Sequence, residues 1–558
     1  MRTSDPHSAE LMISGSKEKT AVAFVVLAIA LGWWAWWASQ AWDSPGLVGH
    51  EFRQAQTALT IQAMQHDGFR LDYATPILGK PWSIPMEFPA YQYAAVKFGQ
   101  AFGTDVAVSG RWVSAVFFVI GIIALVFLLR EVGFSWGASA IGVVPVVTAP
   151  VYFFYSRTVM IESMAWAVAA WFLVGVLRFR RTGSRGAFVL ALGAGGMAVL
   201  VKVTTWAAFC LPWAGLFIYD AIQILRTKRS DWRSLLIQGA AIGIPLLALG
   251  SAWVRKADAI KSENPLAHFL LSSELTAFNF GTLAGRLKAA NWDQLATHWH
   301  DTLGPLWLLG GAALLALSTR RSQLVLTLGV VAFFGIQLIF FGLYLFHDYY
   351  FYANGAFVGL IMGSVLAGSW DATKWSKLGL GGALLGVVSV AAVQFPIYHG
   401  KYFRDQIKPA GDSSAIFEAI QATTAPDEVV VLHSPDWSST PAYFSKRRML
   451  TIPDAQMFLH PEKVGQSVRL LAGESVPLVL FSRESRIHPE WVIDRIDDFR
   501  LWPRPLFTTD TNVTAYARAD RYESMRRTLL DLHLPGLTLA SRAPLVSPDL
   551  RQDLINSP

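Results

Sequence analysis

Groups of polar residues stand at the ends of apolar runs in this 558-residue chain, and their types are those of acid/base and anion chemistry. The first is Gly49, His50, Glu51, Phe52, Arg53, Gln54, Ala55, Gln56 and Thr57, directly after an apolar run. Further on, Glu87 lies between Met86 and Phe88, a carboxylate in the apolar setting where burial tunes acid/base groups. Two such carboxylates can share proton transfer. The plainer account of His50, Glu51 and Arg53 is solvated residues at a membrane face. Arg157 and Glu162 bracket the start of a later run, as a cation for an anion or as an interfacial anchor and a carboxylate at a helix N-terminus. Lys202 falls between two apolar runs, where a lysine can hold a phosphate. His347, Asp348, Tyr349 and Tyr350 combine an aromatic belt with a pair able to bind phosphate or metal.

These groups need elements to position them, and the composition says what the elements are. Hydrophobic residues make up 53% of the chain and charged residues only 16%, with 22 Trp. A soluble domain carries about a quarter charged residues, so the chain reads as an α-helical polytopic membrane protein. Runs long enough, or nearly so, to span occur at Thr20–Trp42, Val113–Leu129, Ala138–Phe154, Ile161–Leu177, Ala187–Val201, Thr205–Ile224, Leu235–Trp253, Leu303–Leu317, Leu324–Phe346, Tyr352–Gly368 and Leu378–Phe395. That predicts about eleven transmembrane helices. The first run is longer than a signal-peptide core and reads as a retained helix after a cytoplasmic tail, residues 1–19.

Basic residues cluster on alternate connections: Lys17 and Lys19; Arg130; Arg178, Arg180, Arg181 and Arg185; Arg226, Lys228, Arg229 and Arg233; Arg320 and Arg321; Lys374 and Lys377. By the positive-inside rule that side is cytoplasmic, and the expected location is the inner (plasma) membrane. The formal charge of +7 is therefore a topology signal, and nucleic acid is not an expected partner. The outer side then carries the loops 43–111 and 255–302, the latter read as a substrate-facing lid. Glu51–Gln65 and Tyr91–Phe102 read as helices lying along the membrane surface. A membrane domain over 20–397 is followed by an extracytoplasmic (periplasmic) α/β domain over 398–558, with a helix at Ala415–Ala422, a buried strand at Glu428–Leu432, and an edge strand at Val476–Phe481 because of its proline. Asp436–Tyr443 has either a sugar-contacting or an ordinary turn composition. The tail beyond Arg542 reads as loosely ordered.

Some chemistry is excluded. No GxxxxGK[ST] or GxGxxG element occurs, so no nucleotide cofactor is expected. One cysteine, Cys210, permits no disulfide within the chain. A lipid-borne donor fits such a topology; a transporter or flippase of lipid-linked sugars fits polytopic helices with a few interior charges too.

In order along the chain, HEFRQAQTA (His50–Ala58), MEFPAYQY (Met86–Tyr93), YSRTVMIES (Tyr155–Ser163), VKVTT (Val201–Thr205) and HDYYFY (His347–Tyr352) resemble the GT-C glycosyltransferases of the protein-mannosyltransferase and aminoarabinose-transferase type. The resemblance implies a GT-C fold and transfer of a sugar from a polyprenyl-phosphate, such as undecaprenyl phosphate, to an acceptor hydroxyl outside the cytoplasm, with inversion. The acceptor would be a glycan, lipid or protein of the cell envelope. It implies an acidic residue of the first loop at the reaction centre, Glu51 first and Glu87 second, beside His50. Arg53, Gln54, Arg157, Glu162, Lys202, His347, Asp348, Tyr349 and Tyr350 would serve the donor phosphate and substrate, with or without a divalent metal ion. The chain departs from the family where His50 precedes Glu51, where Gln56 replaces a later Asp, and where Ile161 replaces a proline.

Overall fold

The structure, a computed structural model, describes residues 6–227, 232–372, 376–408, 414–482, 484–485, 489–510 and 512–540. Lys228, Arg229, Lys374, the side chain of Lys377, the first five residues of the tail and the segment beyond Arg542 lie outside the described residues.

Helices dominate because long apolar runs have no other way to satisfy their backbone in lipid. Among the described residues, 8 helices are long and apolar enough to cross a membrane, and three shorter apolar ones (Trp136–Val147, Arg185–Val201, Leu306–Ala316) complete the set read from the sequence. The chain is a multi-pass membrane protein. Two expected spans are broken: Leu324–Phe346 forms Arg320–Ile339 and Phe341–Phe346, and Ala138–Phe154 forms Trp136–Gly142, Val144–Val147 and Pro150–Tyr155. Pro145 and Pro150 each lack the N–H that would continue the preceding helix and sit instead in the first turn of the next.

Two compact units are present. The first comprises the described residues up to Asp43, of Lys97–Val254 and of Leu275–Ile407. Its centre is the Phe351–Asp371 helix, buried along nearly its whole length. That helix meets Trp136–Gly142 glycine to glycine, since a Cβ on Gly363 would lie 1.6 Å from the Gly142 carbonyl oxygen. Small residues allow such close approach. At one end of this unit the basic clusters are joined: Arg181 pairs with Glu131 at 2.8 Å, Arg180 with Asp220, and Arg321 with Asp371 at 3.5 Å.

The second unit comprises Ser44–Val96, Arg255–Glu274 and the described residues from Lys408 onward. First-loop residues thus pack with C-terminal ones in a single body, and the 255–302 segment is divided between the units. Its six strands are β1 (Val429–Ser434), β2 (Arg448–Pro453), β3 (Leu478–Ser482), β4 (Phe507–Thr509), β5 (Val513–Ala517) and β6 (Leu537–Leu539), in the order β2-β1-β3-β5-β4-β6. β2, β1 and β3 run parallel and the other pairings are antiparallel. The helix expected at Ala415–Ala422 is Ser414–Thr423. β3 is not an edge strand: it begins after Pro477, so the missing N–H falls outside the ladder and β3 pairs on both sides.

Candidate functional site

The Glu51–Asp67 helix starts from two consecutive left-handed residues, Gly49 (φ 75°) and His50 (φ 51°), without a side-chain cap. Instead the Gln54 amide donates to the carbonyls of Leu47 (3.1 Å), Val48 (2.9 Å) and Gly49 (2.6 Å), which pins the incoming chain under the first turn. Glu51 stands exposed in that turn and makes no hydrogen bond or ion pair among the described residues. Surrounding protein nevertheless raises its carboxyl above the ordinary glutamate range by partial desolvation.

Glu87 is placed differently. Arg53 Nη2 donates to Glu87 Oε2 at 3.0 Å, and Gln92 Nε2 to Oε1 at 2.9 Å. The Tyr73 hydroxyl donates to the Glu87 carbonyl at 2.8 Å and accepts from the N–H groups of Met86 (2.9 Å) and Glu87 (3.2 Å). Arg53 also reaches the Gln56 amide oxygen. Of the two carboxylates, Glu87 is committed on both oxygens and Glu51 is open. Gln92 was visible in the MEFPAYQY motif without a role, and Tyr73 stands outside every motif.

In the other unit, the Arg185–Val201 helix ends at Lys202, whose extended backbone turns the chain into Val203–Thr227. Lys202 Nζ meets Glu162 Oε1 at 2.6 Å, at the N-terminus of Glu162–Thr182, with 11% and 2% of the two side chains exposed. The same ammonium lies 4.1 Å from the Tyr350 ring centre and 5.2 Å from that of Tyr349. His347, Tyr349 and Tyr350 stack on one another at 4.9–6.1 Å. The result is a cation on an aromatic wall, tied to one carboxylate.

Asp348 accepts from the hydroxyls of Tyr155 (2.7 Å) and Tyr402 (2.8 Å) and lies 3.6 Å from Lys401 Nζ. Lys401 in turn pairs with Asp301 at 2.6 Å. A carboxylate held this way orients the His347–Tyr350 turn and has no attraction for a phosphate. Arg157 is buried; its Nη2 donates to the Ala41 carbonyl at 3.0 Å and its guanidinium covers the Trp42 ring at 5.7 Å, while Nε has no partner. Tyr155 was visible in its motif without a role. Tyr402 and Lys401 lie beyond the last apolar run of the sequence, in the continuation of its helix, and could not be paired with Asp348 by spacing alone. Among the described residues no group of three or more His, Cys, Asp or Glu stands together as a metal site.

No family model matches the sequence, and no curated protein matches it. Solved structures do. ArnT from Cupriavidus metallidurans bound to undecaprenyl phosphate is 14% identical, covering 91% of this chain and 99% of that one, with a TM-score of 0.56. The apo form of the same protein, 14% identical, covers 90% and 98% with a TM-score of 0.57. The archaeal oligosaccharyltransferase AglB from Archaeoglobus fulgidus, in complex with an inhibitory peptide and a dolichol-phosphate, is 15% identical and covers 90% and 74%, also with a TM-score of 0.57. The chain therefore has the fold of the GT-C glycosyltransferases, an assembly of membrane helices joined to a C-terminal segment with a small mixed sheet.

Proposed function

We propose that this chain is a membrane glycosyltransferase that moves a sugar from a polyprenyl-phosphate donor to an acceptor hydroxyl on the extracytoplasmic face of the inner membrane, with inversion. The observation that carries this reading is the GT-C likeness over nearly the whole length of ArnT, a protein seen with undecaprenyl phosphate bound. The open carboxylate of Glu51 supports it independently. The gathering of basic clusters at one end of the membrane unit supports a cytoplasmic assignment for that end.

In the reaction, the Glu51 carboxylate takes the proton from the acceptor hydroxyl as that oxygen forms a bond to the anomeric carbon. The bond from that carbon to the phosphate oxygen breaks, and its electron pair leaves with the lipid phosphate. Attack opposite the leaving group inverts the configuration. Lys202 and Arg157 supply positive charge for the phosphate, Glu162 fixes Lys202, and the stacked His347, Tyr349 and Tyr350 offer ring faces to the donor. Glu87 and Gln54 act by holding Arg53 and the helix start, with His50 as the left-handed residue before Glu51.

Purified protein incubated with polyprenyl-phosphate sugars and a membrane extract tests the proposal: label leaves the lipid for an acceptor in wild type and stays in Glu51→Gln. If Glu51→Gln and Glu87→Gln both keep full activity, the base is elsewhere. Flux of lipid-linked sugar in proteoliposomes without covalent transfer would establish a flippase instead.

A further inference from the structure

The Glu51 helix lacks a cap, so its first turn depends on tertiary contacts for its orientation. Gln54 holds the chain that enters it. What holds its outer side is the turn after β1, the Asp436–Tyr443 segment. There the Trp437 ring meets the ring of Phe52, the residue next to Glu51, at 5.1 Å and 85°. Phe269 closes on the same indole at 5.8 Å and 77°. The Thr440–Ser445 helix, which overlaps the end of this segment, packs along Glu51–Asp67.

Glu87 is tied to the same sheet by a second route. Residues 76–79 add to the outer edge of β2: Met449 N–H donates to the Pro76 carbonyl at 3.0 Å, Thr451 N–H to Ile77 at 2.7 Å, and Gly79 N–H to Met449 at 3.1 Å. The Asn264 amide donates to the carbonyls of Leu78, Gly79 and Pro81 at 2.9–3.3 Å. Lys80 and Arg448 both pair with Glu474, which the two cations hold below the usual carboxylate range. From this edge a turn closed by Thr75 N–H to the Trp82 carbonyl (2.8 Å) leads back to Tyr73 and Glu87. A sheet edge filled by backbone hydrogen bonds fixes register, and register fixes which way later side chains point.

We infer that the C-terminal α/β segment is the template that orients the first-loop carboxylates, and that Trp437 is the positioning residue for Glu51. The inference rests on the reading of Glu51 as the base, but the anchoring itself can be measured without turnover. Misplacing a reacting group by about 1 Å costs on the order of 100-fold in rate.

The test uses the full-length protein in nanodiscs with Trp437→Ala and Trp437→Phe. Backbone hydrogen exchange is followed in peptides covering 50–57 and in β1 and β3, alongside kcat and donor KM for sugar transfer. In Trp437→Ala, exchange at 50–57 speeds up about 10-fold or more while β1 and β3 stay protected. Its kcat falls about 10- to 100-fold and donor KM changes by less than about twofold. Trp437→Phe, which keeps a ring against Phe52, restores most of both. Unchanged exchange at 50–57, unchanged kcat, or equal loss of protection throughout the sheet overturns the inference, the last because it marks a general structural role. Absence of sugar transfer in wild type removes the glycosyltransferase reading, and the exchange data then decide the anchoring alone.

Discussion

Glu51 and Glu87 each lie in an equally suggestive motif, yet their surroundings separate them. Glu51→Gln should lower turnover by about 10²- to 10⁴-fold, the worth of a positioned base, with donor binding retained. Because its carboxyl lies above the ordinary glutamate range and must be ionised to accept a proton, activity should rise with pH through that raised value. The acid limb of the kcat/KM profile should sit above about pH 4.3, the unperturbed glutamate value, and shift in the residual activity of the Gln variant. Lys202 and Glu162 give a second residue-scale prediction. Lys202→Met leaves a carboxylate that is 2% exposed without its cation, a loss of about 3–5 kcal/mol. Pairing it with Glu162→Leu should recover thermal stability but not donor binding. Equal recovery of both would mean that Lys202 serves the fold alone. Sequence position brought Lys202 and Glu162 to attention separately; their contact follows from two antiparallel helices and has no local signature.

At the scale of elements, periodicity and breakers located most helices, and the errors have definite causes. Pro145 and Pro150 split one apolar run, and Pro477 ends just before β3 begins. The addition of residues 76–79 to β2 was not legible, because strand pairing across hundreds of residues leaves no mark in either segment. The glycine contact of the central helix predicts that Gly363→Ala loses about 1–3 kcal/mol, since the Cβ would strike backbone atoms that have no rotamer to move. A lower melting temperature in detergent checks it, and an unchanged one would show that the helices can separate. In β1, burial and then the charge of Arg495 push His433 down to about 3. The unfolded chain binds that proton near pH 6.5 and the folded one does not, so stability is complete above about 6.5 and is lost as pH falls toward 3. Hydrogen exchange of β1 should accelerate between pH 6.5 and 5 after correction for intrinsic rates, and His433→Leu should flatten that dependence.

For the molecule as a whole, the apolar runs made a polytopic GT-C fold readable, and the ordered motifs pointed to the same class. The division into compact units was hidden, since first-loop residues and the C-terminal sheet share one body only through contacts such as Phe52 with Trp437. The C-terminal segment therefore packs against the residue next to the one proposed to do the chemistry. The proposed function of the chain is covalent transfer of a sugar from a lipid phosphate. It is tested most directly by incubating purified protein in nanodiscs with a panel of radiolabelled polyprenyl-phosphate sugars and envelope extract. Wild type should place label on an acceptor with inverted anomeric configuration, and Glu51→Gln should transfer it about 10²- to 10⁴-fold more slowly. Retained configuration, equal rates in the two proteins, or no donor binding across the panel would contradict it.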